Sequence, residues 1–121
     1  MLYPLFFHPV YKERIWGGRK LAEKYHRKLP DEKIGESWEI ACHANGMGII
    51  RNGPLNGLSF LDAIEKYGEE LLGSAVYHNG YRKFPLLIKI LDASDVLSVQ
   101  VHPGNEYANV HENGELGKTE M

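Results

Sequence analysis

The apolar positions of this chain change their period from one stretch to the next. Residues 5–10 carry Leu5, Phe6, Phe7 and Val10 in no regular order. Pro4 and Pro9 bar a helix there, because each fixes φ and removes a backbone N–H, so a packing arm is expected. The first thirty residues read as irregular, apart from a short helix over 18–25 that follows a Trp16-Gly17-Gly18 turn. After a turn at 30–33, residues 34–41 alternate as a strand. Trp38 and Ile40 share one of its faces, and Ser37 and Glu39 share the other. Residues 47–51 predict a second short strand, and Asn52-Gly53-Pro54-Leu55-Asn56-Gly57 predicts a loop.

Helical spacing begins at Ser59, which caps with Asp62 three residues on. Leu61, Ile64, Leu71 and Leu72 give the apolar stripe, Gly68 predicts a break midway, and Gly73 closes the segment. The chain is then expected to loop as far as Arg82-Lys83. Residues 84–91 are its most apolar run. Their length and branched side chains favour a strand buried on both faces. A polar turn at 92–95 leads to residues 96–102, where Leu97, Val99 and Val101 alternate with Ser98, Gln100 and His102. Two strands joined in this way predict an antiparallel hairpin. A helical turn is expected around Glu106 and His111.

Composition narrows the class. With 121 residues and 43% apolar content, the chain suits one unit, residues 1–121, whose core needs neither disulfide nor structural metal. Fourteen basic against sixteen acidic residues leave a net charge of −2, without the basic excess of a nucleic-acid partner. Cys42 stands alone, which excludes an internal disulfide and fits a cytoplasmic location. No apolar run approaches the ~18 residues of a membrane span, and the N-terminus lacks a signal peptide's charged front.

The candidate chemistry lies near the end of the chain. On the polar face of residues 96–102, Ser98, Gln100 and His102 are neutral donors and ligands where a solvated strand would use Lys, Glu or Thr. Gln100 and His102, two apart, project side by side at a spacing that suits one ion between an amide oxygen and an imidazole. A wet surface strand and a metal site are both compatible with that pattern. Lys89 sits within an apolar run, where it either meets an anion or snorkels out at a sheet edge. Glu106, Glu112, Glu115 and Glu120 are equally placed by spacing to add a carboxylate. The other histidines (His8, His26, His43, His78 and His111) read as surface residues, Cys42 as a buried filler, and Trp16 and Trp38 as packing residues.

Taken together, Leu86-Leu87-Ile88-Lys89-Ile90-Leu91, Leu97-Ser98-Val99-Gln100-Val101-His102-Pro103 and Gly117-Lys118-Thr119-Glu120-Met121 resemble the type I mannose-6-phosphate isomerases, in particular the short Bacillus-type enzymes. Trp16-Gly17-Gly18 and Gly35-Glu36-Ser37-Trp38-Glu39 match motifs near that family's start. The resemblance implies a mainly β, cupin-like jelly roll with a small helical insertion, of which this chain would be the N-terminal portion. It also implies one zinc ion on Gln100, His102 and Glu120, with a further histidine much later in the family's chain. Ser98 matches the family's phosphate-binding serine, and Lys89 and Lys118 match its two lysines at the sugar-phosphate pocket. Gly104-Asn105 stands where relatives commonly have Asp-Asp, outside the ligand positions.

The implied reaction interconverts mannose 6-phosphate and fructose 6-phosphate through an enediol. A mixed oxygen and nitrogen ligand set with an open position suits zinc acting as a Lewis acid. Lys89 is read as a phosphate partner, with catalytic base as the alternative. The family's chain continues with the last histidine ligand and an arginine near the reacting carbons. Met121 then falls in mid-strand, and unpaired strand edges invite self-association. Two other readings remain: a non-catalytic zinc- or sugar-phosphate-binding remnant of a truncated frame, and a plain β-sandwich interaction domain.

Overall fold

Elements in the computed structural model, which describes residues 2–121, follow the order β1 (Phe7–His8), β2 (Val10–Gly18), α1 (Lys20–Tyr25), β3 (Ile34–Ile40), β4 (Cys42–His43), β5 (Gly46–Met47) and β6 (Ile49–Ile50). After a 3₁₀ turn at Gly53–Leu55 come α2 (Phe60–Tyr67), α3 (Glu69–Leu72), α4 (Ser74–His78), β7 (Ile88–Leu91) and α5 (Asn105–His111). The strands form the frame, and α2 to α4 are an insertion between β6 and β7.

Three antiparallel strands in the order β2-β3-β7 make the main sheet. The central strand β3 pairs Tyr11 with Ser37 on one side and Lys89 with Trp38 on the other. Residues directly opposite, or two apart on one strand, share a face. Lys12, Glu36, Trp38, Lys89 and Leu91 therefore stand on one face, and Tyr11, Ser37 and Ile90 on the other. The β2–β3 register shifts between Glu13 and Gly18, where the two strands approach closely. A Cβ on Gly17 would fall on the backbone nitrogen of Gly35, and a Cβ on Gly35 would meet the Arg14 and Trp16 side chains at 2.6 and 2.7 Å. Only glycine fits that crossing.

The core lies beside the sheet. Cys42, Phe60 and Ile64 form one buried cluster, and Ile50, Leu55 and Ala63 another, with Phe7 and Leu71 packed against both. Phe7 and Phe84 flank the Phe60 ring at centroid distances of 4.7 and 5.4 Å. The Ser59 hydroxyl caps α2 by accepting from the Asp62 N–H at 3.0 Å, and Gly68, at φ 47°, separates α2 from α3. Asp92, just past β7, is buried and accepts the Lys20 backbone N–H at 2.8 Å, so it ties the sheet edge to the first turn of α1.

Several expectations hold: the helix before residue 25, the strand from Ile34, the capped and broken helix after Ser59, the helical turn at 105–111, and Cys42 as buried filler. Others are corrected. Residues 10–18 form the nine-residue strand β2, and Trp16-Gly17-Gly18 is its end rather than a turn. The expected strand over 47–51 is split between β5 and β6, and α4 occupies part of the expected loop after Gly73. Of residues 84–91 only Ile88–Leu91 is strand; it is an edge with Ile88 and Leu91 exposed, because among the described residues its ladder is to β3 alone. Residues 96–102 form no strand and no hairpin with β7. They run without a ladder partner, and Val99 is 100% and Val101 93% exposed. Residues 115–121 likewise carry no strand, so Glu120 and Met121 do not lie in one.

Candidate functional site

On the charged face of the sheet, Glu36 gathers three donors. Its Oε2 accepts from the Trp38 indole N–H at 2.8 Å and from Arg14 at 3.3 Å, while Oε1 accepts from Lys89 Nζ at 3.2 Å. The carboxylate is buried, and strand periodicity explains why it points here: it stands two residues from Trp38, on the same face. Burial alone would raise its pKa. The hydrogen bonds from Trp38 and Lys89, with the charges of Lys89 and Arg14, outweigh it and hold Glu36 below its ordinary value. Lys12 approaches from β2, its ammonium 4.5 Å from the Trp38 ring centroid. Of its two expected outcomes Lys89 shows the first: although β7 is an edge strand, the lysine meets an anion and, with its side chain 18% exposed, does not snorkel out.

A second cluster forms where the chain folds back after α5. Lys118 N–H donates to the Pro103 carbonyl at 3.0 Å, and Gly117 N–H to Asn105 Oδ1 at 2.8 Å. This return brings Glu120 to His102, with Nε2 and Oε2 2.6 Å apart, and Lys118 Nζ lies 2.9 Å from Glu120 Oε1. Hydrogen bonds from Lys118 and then His102 lower the Glu120 pKa to about 2. Gln100 donates from its amide nitrogen to Ser98 Oγ at 3.0 Å, which leaves its amide oxygen free to accept.

Of the expected site residues, His102, Glu120 and Lys118 therefore meet, Ser98 and Gln100 pair with each other, and Lys89 joins Glu36. No three His, Cys, Asp or Glu side chains converge among the described residues. The donor chemistry nonetheless fits zinc, since an imidazole nitrogen and a carboxylate oxygen are adjacent and Gln100, two positions before His102 in sequence, has an amide oxygen free to join them.

Glu36, Arg14 and His43 were assigned no role from sequence. For Glu36 the signal was present: period two places this acid on the Trp38 face of a strand predicted to pack. His43 is not an isolated surface residue, because it edges the Trp38 ring at 5.9 Å and faces Glu115 at 3.5 Å. Nor is Trp38 packing alone, since its N–H holds Glu36.

The model of phosphomannose isomerase type I, catalytic domain, matches residues 5–117. The probable mannose-6-phosphate isomerase GmuF of Bacillus subtilis (strain 168) is 49% identical over 120 residues, covering 99% of this chain and 36% of that protein. Among solved structures, the mannose 6-phosphate isomerase from Bacillus subtilis superposes with a TM-score of 0.86 at 38% identity, covering 96% of this chain and 35% of that one. A zinc-bound, holo mannose 6-phosphate isomerase superposes with a TM-score of 0.71 at 29% identity over 88% of this chain and 27% of that one. The shared architecture is mainly β and cupin-like, and the chain spans about a third of the length of the curated relatives it matches. It belongs to the type I phosphomannose isomerase family, within whose catalytic domain residues 5–117 fall.

Proposed function

We propose that this chain supplies the N-terminal share of an aldose–ketose isomerase site that interconverts mannose 6-phosphate and fructose 6-phosphate, with one zinc ion held by Gln100, His102 and Glu120. The observation that carries this reading is the return of residues 117–120 onto 102–105, which joins an imidazole, a carboxylate and a lysine distant in sequence. The relatives are named for this reaction, and one family structure is titled as zinc-bound.

When bound, zinc would supply Lewis acidity toward substrate oxygens that gain negative charge as a proton moves between adjacent carbons. Glu120 offers a carboxylate ligand, with Lys118 beside it at 2.9 Å. Lys89 and Lys118 carry the positive charge for the sugar phosphate, and the Ser98 hydroxyl donates to one of its oxygens. Lys89 Nζ already holds an anion at 3.2 Å, which favours a phosphate partner over a proton-abstracting base.

Zinc titration by calorimetry, paired with a coupled assay of fructose 6-phosphate formation, tests the reading. One ion should bind per chain, His102→Ala should lose it, and chelation should abolish turnover until zinc is restored. Turnover that survives chelation would sink the mechanism. A second reading is binding of zinc and sugar phosphate without turnover. In that case the zinc titration succeeds and the coupled assay stays flat.

A further inference from the structure

We propose that Glu36 is a positioning residue for Lys89, an inference that rests on the reading of Lys89 as a sugar-phosphate ligand. The geometry divides the work of the two carboxylate oxygens. Oε2 is anchored by Trp38 Nε1 at 2.8 Å and by Arg14 at 3.3 Å, and Trp38 is itself buried. Oε1 faces Lys89 Nζ at 3.2 Å. The carboxylate is therefore fixed to the central strand by one oxygen and tethers the ammonium by the other.

Without that tether, a lysine on an edge strand is free to reach past the sheet into water. With it, the ammonium is held over the charged face, its side chain 18% exposed. The tether does not consume the group. A lysine ammonium has three donors, and Glu36 takes one of them. At 3.2 Å the pair is also longer than the roughly 2.7–2.9 Å of a tight charge-assisted bond, so Lys89 keeps capacity for a second anion. Arg14 and Lys89 together exceed the single charge of Glu36, which leaves a positive surplus where a phosphate would approach. A pair serving stability alone would be replaceable by apolar residues of similar shape, and it would not need an anchored oxygen on one side and an open ammonium on the other.

A double-variant cycle on the 121-residue chain tests this, with fructose 6-phosphate as the probe, calorimetry as the readout, and circular dichroism to verify folding. Lys89→Met and Glu36→Gln should each weaken binding about tenfold, and the double variant should also lose about tenfold rather than the hundredfold of independent effects. Glu36→Asp, which keeps the charge, should recover part of the loss seen in Glu36→Gln. If Glu36→Gln does not fold, Glu36→Asp enters the same cycle under the same criterion. Multiplying losses would show that Glu36 acts independently of Lys89, overturning the positioning role while leaving the sugar-phosphate reading intact. Lys89→Met binding as wild type does, or wild type showing no binding, would sink the reading of Lys89 and the proposal with it.

Discussion

Glu36 and Glu120 are both carboxylates that meet a lysine, at 3.2 and 2.9 Å, yet their surroundings differ. Glu36 projects from the central strand of a three-stranded sheet, its side chain 10% exposed, and its anchor Trp38 is buried. Glu120 lies on a segment without strand or helix, its side chain 48% exposed, and is placed by a local return of the backbone. The sheet pre-organises the first carboxylate, so its lysine is held whether or not a ligand is present. The second depends on neighbours that solvent can replace. One chain thus combines a carboxylate set in a sheet with one held by a local return of the chain.

Substitutions should separate the two settings, and the largest effect belongs to the sheet. Ile34→Ala, in β3 and 2% exposed, should destabilise the fold by about 2–5 kcal/mol in urea denaturation, because it leaves a cavity in the strand that carries Glu36. Gly17→Ala should cost about 1–3 kcal/mol by forcing β2 away from Gly35, read as a lowered midpoint with loss of Trp fluorescence structure. Acid should act next. Since folding lowers the Glu36 pKa from its ordinary 4.5, the unfolded chain binds that proton more readily. Its stabilisation is complete above that ordinary value and is lost as pH falls through the lowered one. Glu36→Gln should therefore flatten the dependence of stability on pH in that acidic window; an unchanged slope would show that the tether carries no linkage. The smallest effect belongs to the exposed cluster, where Lys118→Ala should change the unfolding free energy by less than about 0.5 kcal/mol. A loss as large as that of Ile34→Ala would erase the distinction.

The parts legible in the sequence were those governed by local rules. Ser59 with Asp62, the break at Gly68 and the alternation from Ile34 needed no knowledge of what lies far along the chain. β2 was missed because Gly17 and Gly18 carry a turn's composition, while Gly17 is hemmed in by β3 at Gly35 and Gly18 by the Asp92 and Ser94 side chains far along the chain. Residues 96–102 show the reverse failure. Their alternation assigns side chains to faces, but a strand also needs a neighbouring backbone, and β7 spends its ladder on β3. Candidate ligands were legible as residue types, and the His102–Glu120 meeting follows from the return at Pro103 and Asn105, which no periodicity encodes. Glu36 was legible by period two; its partner Lys89 became so only with the register of β3 against β7.

Asp92 also has a consequence for the order in which the molecule assembles. Its bond to Lys20 spans 72 residues, and the Lys89–Glu36 pair spans 53, so the third strand is recruited across a long loop. The cost of closing such a loop rises only as about (3/2)RT ln n, but it falls before the contacts that reward it have formed. The helix capped by Ser59 needs no such closure, and the β2–β3 ribbon closes a shorter loop, from Val10 to Trp38 at its widest. Docking of residues 88–92 carries the longest of these closures, and it is the event that builds the charged face. On a ribosome that face cannot exist until residues 88–91 have left the exit tunnel, long after β2 and β3 have emerged.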